Sequence, residues 1–132
     1  MSLDNPFAMH RQAFWEERAA DKSLPLWVRV AALAFGCHRR NGHANFIDPP
    51  LKVLLGGPGE HGGWDCVDES SISRALAAAK KAGWLAEESN SRCLVVPRHA
   101  ISGGLGNEHE LCSVHIGRRR AAKRKQTLAA VS

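Results

Sequence analysis

Between residues 68 and 82 apolar side chains recur at helical spacing. Ile72, Leu76 and Ala79 fall at i, i+4 and i+7 and make one stripe that can bury, while Ser73, Arg74, Ala77, Lys80 and Lys81 point elsewhere. Asp68, Ser70 and Ser71 offer side-chain oxygens to the free amides of a first turn, and Gly83 can take the left-handed geometry that ends a helix. The pattern predicts a helix bounded at both ends, with a small, cationic free face. After Gly83 the period changes from helical to alternating. Trp84 and Leu85 open a short strand, Ser89, Asn90 and Ser91 form a turn, and residues 93–96 read as the returning strand of a β-hairpin. Arg92 and Arg98 flank that return.

Earlier in the chain the same reading predicts three more helices. Asn5 and Pro6 make a cap and first helical residue for a helix over 8–20, with Phe14 and Trp15 as its packing residues. A second helix begins near 23–25, carries the stripe Leu26, Val30, Leu33 and Ala34, and breaks near Asn41 and Gly42. It is the expected central core helix, with Cys37 in that core. Pro49 and Pro50 introduce a helix of one or two turns over 51–55.

Residues 56–65 hold five glycines in ten positions, which raises a phosphate-binding loop as a candidate. Such a loop needs Lys and then Ser or Thr after its last glycine, to meet phosphate and metal; here Trp64 and Asp65 follow. The segment reads as a loop, with Trp64 and Val67 pairing as a short edge strand beside the hairpin. The second glycine-rich run, 102–106, lacks the strand, glycine spacing and acidic partner of a dinucleotide site and also reads as loop.

Charge changes the picture once it is divided along the chain. The net +5 comes from 18 Lys and Arg against 13 Asp and Glu, but Arg118, Arg119, Arg120, Lys123, Arg124 and Lys125 supply six of the cations. Without them 12 cations face 13 anions, so the body is near neutral and the general attraction for a polyanion sits in a basic C-terminal tail. No apolar run approaches the ~20 residues of a membrane-crossing helix, and Asp4, Pro6 and His10 occupy the region where a signal peptide needs a basic start and an apolar stretch. A cytoplasmic protein with no membrane partner is expected, and Cys37, Cys66, Cys93 and Cys112 are then reduced thiols or metal ligands rather than disulfides.

The string SSISRALAAAKKAGWL resembles the recognition helix and first wing strand of the winged-helix branch of helix-turn-helix DNA-binding domains, as found in small bacterial, plasmid and phage regulators and replication initiators. The resemblance covers about half of the chain. It implies a fold that is mainly α with a small β-hairpin (α+β): an extra N-terminal helix over 1–22, a winged-helix domain over 23–115 and the basic tail over 116–132. The glycine-rich insertion before the third helix is a departure from the compact pattern. The implied function is sequence-specific binding of double-stranded DNA in transcriptional regulation of plasmid, phage or prophage type. Replication initiation, excision, or a protein-interaction module is the alternative. The resemblance implies base or phosphate contacts for Ser71, Ser73, Arg74, Ala77, Lys80 and Lys81, and for Asn90, Ser91 and Arg92 in the wing. Arg98 and the tail cations Arg118, Arg119, Arg120, Lys123, Arg124 and Lys125 join them on charge. In such proteins an added N-terminal helix commonly packs against a symmetry mate, so a homodimer is a candidate assembly.

A second constellation lies beyond the hairpin: Cys93, His99, His109, Cys112 and His115. Thiolate sulfur and imidazole nitrogen suit zinc, and a Cys-x5-His pair returning through a glycine loop to Cys-x2-His supplies two local ligand pairs. Cys93, His99, Cys112 and His115 are the expected ligands of a closed structural zinc site, with His109 as substitute for any of them. Such a site pins the segment around 102–114 against the hairpin. No nucleophile elbow, no His-Glu-x-x-His and no deaminase signature occurs, so neither an enzyme nor a small-molecule substrate is expected.

Overall fold

Leu26–Cys37 (α2) is the central element, and its composition explains why: in LWVRVAALAFGC the buried set runs Arg29, Val30, Ala31, Ala32, Leu33, Ala34 and Gly36. A helix buried nearly all round needs neighbours on several sides, and its alanines let them come close. The computed structural model describes residues 9–101, 103–107 and 109–116. The basic tail expected at 118–125 lies outside the described residues, as does the start of the N-terminal segment.

Gln12–Ala20 (α1) packs along α2 within the same chain. Trp15 stacks on Phe35 at 5.3 Å between ring centroids, whereas Phe14 stays 44% exposed under the Arg18 guanidinium. Gly36 permits the approach, since a Cβ there would sit 2.9 Å from Glu16 Cγ. The buried Arg29 ties the ends together by donating from Nε to Ala19 O at 2.8 Å and from Nη2 to Leu55 O at 3.1 Å. Cys37, expected in the core, is instead exposed at the end of α2, with its thiol toward the Glu16 carboxylate at 3.8 Å.

On the other side of α2 lies Glu69–Lys81 (α4). Its bounds follow from its caps. Asp68 accepts from Ser71 N at the start. At the end Gly83 at φ +79° lets its own N–H donate to Lys80 O and Trp84 N–H to Ala79 O, a paired closure that satisfies the last carbonyls. Ile72, Ala75, Leu76 and Ala79 are buried. Between these long helices Leu51–Leu54 (α3) makes one turn, with Leu51 and Leu55 fully buried.

Two small antiparallel sheets complete the described α+β fold. His43–Asn45 (β1) pairs with Cys93–Val95 (β4) in the register His43↔Val95, Ala44↔Leu94, Asn45↔Cys93. Gly57–Pro58 (β2) pairs with Trp64–Asp65 (β3). The glycine-rich segment is thus a hairpin of its own, tied to α3 by Trp64 Nε1–H donating to Val53 O and Val67 N–H to Lys52 O. It is not an edge strand beside residues 84–96, as Trp64 and Val67 were expected to form.

The expected first hairpin strand at Trp84 and Leu85 is also replaced. Their amides both donate to Ala79 O, which keeps them at the helix end; Trp84 packs edge-on to Trp27 and Leu85 is buried. The chain then turns over 86–92 and bonds back to one edge of β4, with Ala86 N–H donating to Val95 O and an antiparallel bridge at Asn90 and Cys93, while β1 is the strand paired with the other edge. A 3-10 turn, Arg98–Ala100, follows. Residues 103–107 and 109–116 return across the molecule, anchored by the Arg39–Glu110 ion pair at 2.8 Å and by Asn41 Nδ2–H donating to Glu110 O. Among the described residues no helix is long and apolar enough to cross a membrane.

Candidate functional site

Alternation along the β1–β4 ribbon sorts its side chains. Ala44 and Leu94 belong to the main core, while Cys93 and Val95 fall in a separate small cluster with Cys112, because successive strand residues point to opposite faces. His43, two residues before Asn45, shares the Cys93 face. Residues 112–116 close over that face in a helical turn, with Ile116 N–H donating to Cys112 O, and bring Cys112 and His115 to the same spot.

The result is a cluster of His43, Cys93, Cys112 and His115 whose ligand atoms all lie within 4.8 Å of one another. Cys93 Sγ is 3.5 Å from Cys112 Sγ, His43 Nδ1 is 3.4 Å from Cys93 Sγ, and His115 Nδ1 is 3.5 Å from Cys112 Sγ. A tetrahedral zinc site has Zn–S of about 2.3 Å and Zn–N of about 2.0–2.1 Å, so its edges are about 3.8 Å between sulfurs and 3.6 Å between sulfur and nitrogen. The cluster therefore fits a metal ion with small adjustments. His115 meets a further requirement of a ligating imidazole: with Nδ1 toward the sulfurs, Nε2–H donates to Glu88 O at 2.8 Å, which fixes the ring and its tautomer.

The electrostatics of the two thiols differ. Burial first, and the Cys112 thiol next, push the Cys93 thiol far above the ordinary range. Burial acts the same way on Cys112, but hydrogen bonds from the His115 side chain and backbone outweigh it and hold that thiol below its usual value. His115 mirrors this: burial lowers its pKa, yet the contacts to Cys112 and Glu88 O win and raise it. A dication supplies the charge that lets both sulfurs ionise. An ion held by all four side chains would have a closed tetrahedral shell.

Three of the four expected ligands, Cys93, Cys112 and His115, are thus brought together, and His43 replaces His99. His99 is exposed on the 3-10 turn and His109 is exposed in the following segment; neither belongs to the cluster. His43 had one signal in the sequence, the apolar Ala44 between two polar neighbours, which marks a strand with a polar face. Its pairing with a strand 50 residues away carried no local mark.

The second feature is the outer face of α4. Ser70, Ser73, Arg74, Ala77 and Lys81 are exposed and Lys80 half-buried, and at 3.6 residues per turn these six lie within an arc of about 120°. Glu87, Ser89, Asn90 and Ser91 of the 86–92 turn face that arc across an open groove of about 660 Å³ that Ser73, Ala77, Lys80 and Lys81 also line. Of the expected contact residues, Ser71 is half-buried and spent on the cap, donating from Oγ to Asp68 at 2.6 Å. Arg92 is exposed. Arg98 lies elsewhere, lining a separate cavity with Arg40 and His109.

Comparisons of the chain with protein-family models, with curated proteins and with solved structures found no match.

Proposed function

We propose that the protein binds double-stranded DNA as a sequence-reading regulator of the winged helix-turn-helix kind. In this reading α4 enters the major groove and the 86–92 turn lies against the adjoining backbone. The observation that carries it is the outer arc of α4. Ser73 and Ala77 keep its centre low, so a helix 10–12 Å across can approach the floor of a groove about 12 Å wide. Arg74, Lys80 and Lys81 stand around that centre within reach of guanine edges and phosphates. The order α2, β1, α3, β2, β3, α4, β4, with β1 joined to β4, supports the same reading despite the β2–β3 hairpin inserted before α4, as it packs α4 on α2 and leaves its far side to the open groove. One structural zinc ion at His43, Cys93, Cys112 and His115 belongs to the proposal. Its role is to hold residues 103–116 to the ribbon.

Selection of bound fragments from random duplex DNA, run at two salt concentrations, tests the function. Arg74→Ala should narrow the preference for the selected site over competitor DNA by about 10-fold, the worth of one good base contact. Removing residues 117–132 should weaken all DNA alike and flatten the salt slope by up to about 5, since six cations no longer displace counterions. No enriched sequence, or an Arg74→Ala variant with undiminished preference, rejects base reading by α4.

A further inference from the structure

The metal cluster and the α4 groove are joined by one short piece of chain. Residues 86–92 form the groove wall opposite α4, and the same residues are bracketed by cluster members. Cys93 follows the turn directly, and its N–H donates to Asn90 Oδ1 at 3.0 Å. His115 reaches the turn from the other side, with Nε2–H donating to Glu88 O at 2.8 Å. We infer that metal bound at His43, Cys93, Cys112 and His115 fixes the 86–92 turn, so that the metal controls the wall of the groove beside α4. The consequence for DNA affinity rests on the function proposed above.

Apart from a metal, the wall is held by hydrogen bonds. Phe46 N–H donates to Arg92 O at its end, and the others, Ala86 N–H to Val95 O, Ser89 N–H to Ala86 O, the reciprocal Asn90 and Cys93 pair and the Ser89 Oγ contacts with Val95, end on the turn itself or on β4. The apolar cluster beneath contains three buried residues, Cys93, Val95 and Cys112, with Ala86 and Val114 at its margin. Two of those three are ligands. Without a metal the segment carrying Cys112 and His115 is attached to this region mainly through Asn45, which donates from Nδ2 to Ser113 Oγ and accepts from Cys112 Sγ, and through His115 Nε2–H to Glu88 O. With one, four side chains from β1, β4 and residues 112–115 share a centre, and His115 loses its freedom to turn away from Glu88. The coupling is reciprocal: whatever steadies the turn must also tighten the metal.

Hydrogen exchange on the full chain, with one equivalent of zinc and after chelation, reads this directly. The amides of Ala86, Ser89, Asn90 and Cys93 should exchange at least about 10-fold faster without zinc, while those in the middle of α2 keep their rate. His115→Ala should reproduce the fast exchange in the presence of zinc. Unchanged exchange at these four amides despite bound zinc overturns the inference, as does failure to bind zinc, or loss of protection through α2 as well, which would mean a global rather than a local hold. Binding to a 20-base-pair random-sequence duplex, measured on the same two samples, separates the two ideas. Zinc-dependent exchange with no DNA affinity in either form supports control of the turn and rejects the DNA function; DNA affinity with zinc-independent exchange does the reverse.

Discussion

On one face of the β1–β4 ribbon, Ala44 and Leu94 enter a core that also buries Val30, Leu51, Leu55 and Val96; on the other, Cys93, Val95 and Cys112 are the buried residues. The two faces use different physics at the same backbone. Each fully buried Val or Leu is worth about 1.5–3 kcal/mol on leaving water, and the first face collects several of them. The second has a single large aliphatic, Val95, and two thiols that behave as small hydrophobes until something ionises them. Apolar area is enough to fix α2 against α4. It is not enough to fix residues 103–116, where glycine is frequent, Leu105 and Leu111 are mostly exposed, and Arg39–Glu110 is an exposed ion pair of small worth. The four side chains that could hold a metal lie where the apolar driving force runs out.

The contrast is broken most severely from the core side. Leu51 is 1% exposed, and Leu51→Ala should lower the unfolding free energy by about 2–5 kcal/mol through lost transfer energy and the cavity left behind. Urea denaturation with and without zinc measures this, and the loss should be the same in both. A loss below about 1 kcal/mol would mean that the core collapses around the gap and that the face is less tightly packed than its burial implies.

From the other side, the lever is the metal. Zinc at 100 times its dissociation constant should stabilise the wild-type chain by about 2.7 kcal/mol, by mass action on the folded state alone. Cys112→Ser, which changes a residue 8% exposed and leaves the main core untouched, should abolish that increment. Melting curves over a zinc titration read both. A wild-type transition indifferent to zinc would leave the second face with no account of what holds it.

These two regions were also unequally legible in the sequence. The main core is written in local periodicity: the stripe of α4 with Asp68 before it and Gly83 after it, and the near-continuous apolar run of α2, each fix a helix from its own residues. The second face is written in pairing. Cys93, Cys112 and His115 could be grouped because thiolate and imidazole suit zinc and fall in two local pairs, but the fourth ligand depends on which strand lies beside β4. Sequence position favoured the adjacent Trp84 and Leu85 as the strand partner, and the local Cys-x5-His spacing after Cys93 pointed to His99. The closure at Gly83 holds Trp84 and Leu85 to the helix end, so that residues 86–90 rather than these two bond the Cys93 and Val95 edge of β4, while the opposite edge takes β1 and brings His43 in with it.

The smallest effect is expected at the element both regions share. The buried stripe of α4 feeds the main core and its outer face borders the groove wall held from the second face, so weakening its first turn should be felt by both, and weakly. Asp68 accepts hydrogen bonds from Ser70 Oγ, from Ser71 Oγ at 2.6 Å and from Ser71 N at 3.3 Å. Ser70 and then Ser71 hold the Asp68 carboxyl at about 2, against an ordinary 3.8. A carboxyl depressed in the folded state adds stability that is fully present above its unfolded value and disappears as pH falls through its folded value. The contribution should therefore be constant above about pH 4 and vanish between there and pH 2. Asp68→Asn keeps an oxygen to cap α4 but cannot titrate. Asp21 and Glu110 are also held low, the first by Ser23 and the second by Arg39, so raw acid melting mixes all three. The difference in melting temperature between wild type and Asp68→Asn isolates one of them. In zinc-free buffer it should stay level from pH 6 to 4 and shrink toward pH 2; a difference that stays level down to pH 2 would mean that the exposed cap is screened by water to the point of adding nothing.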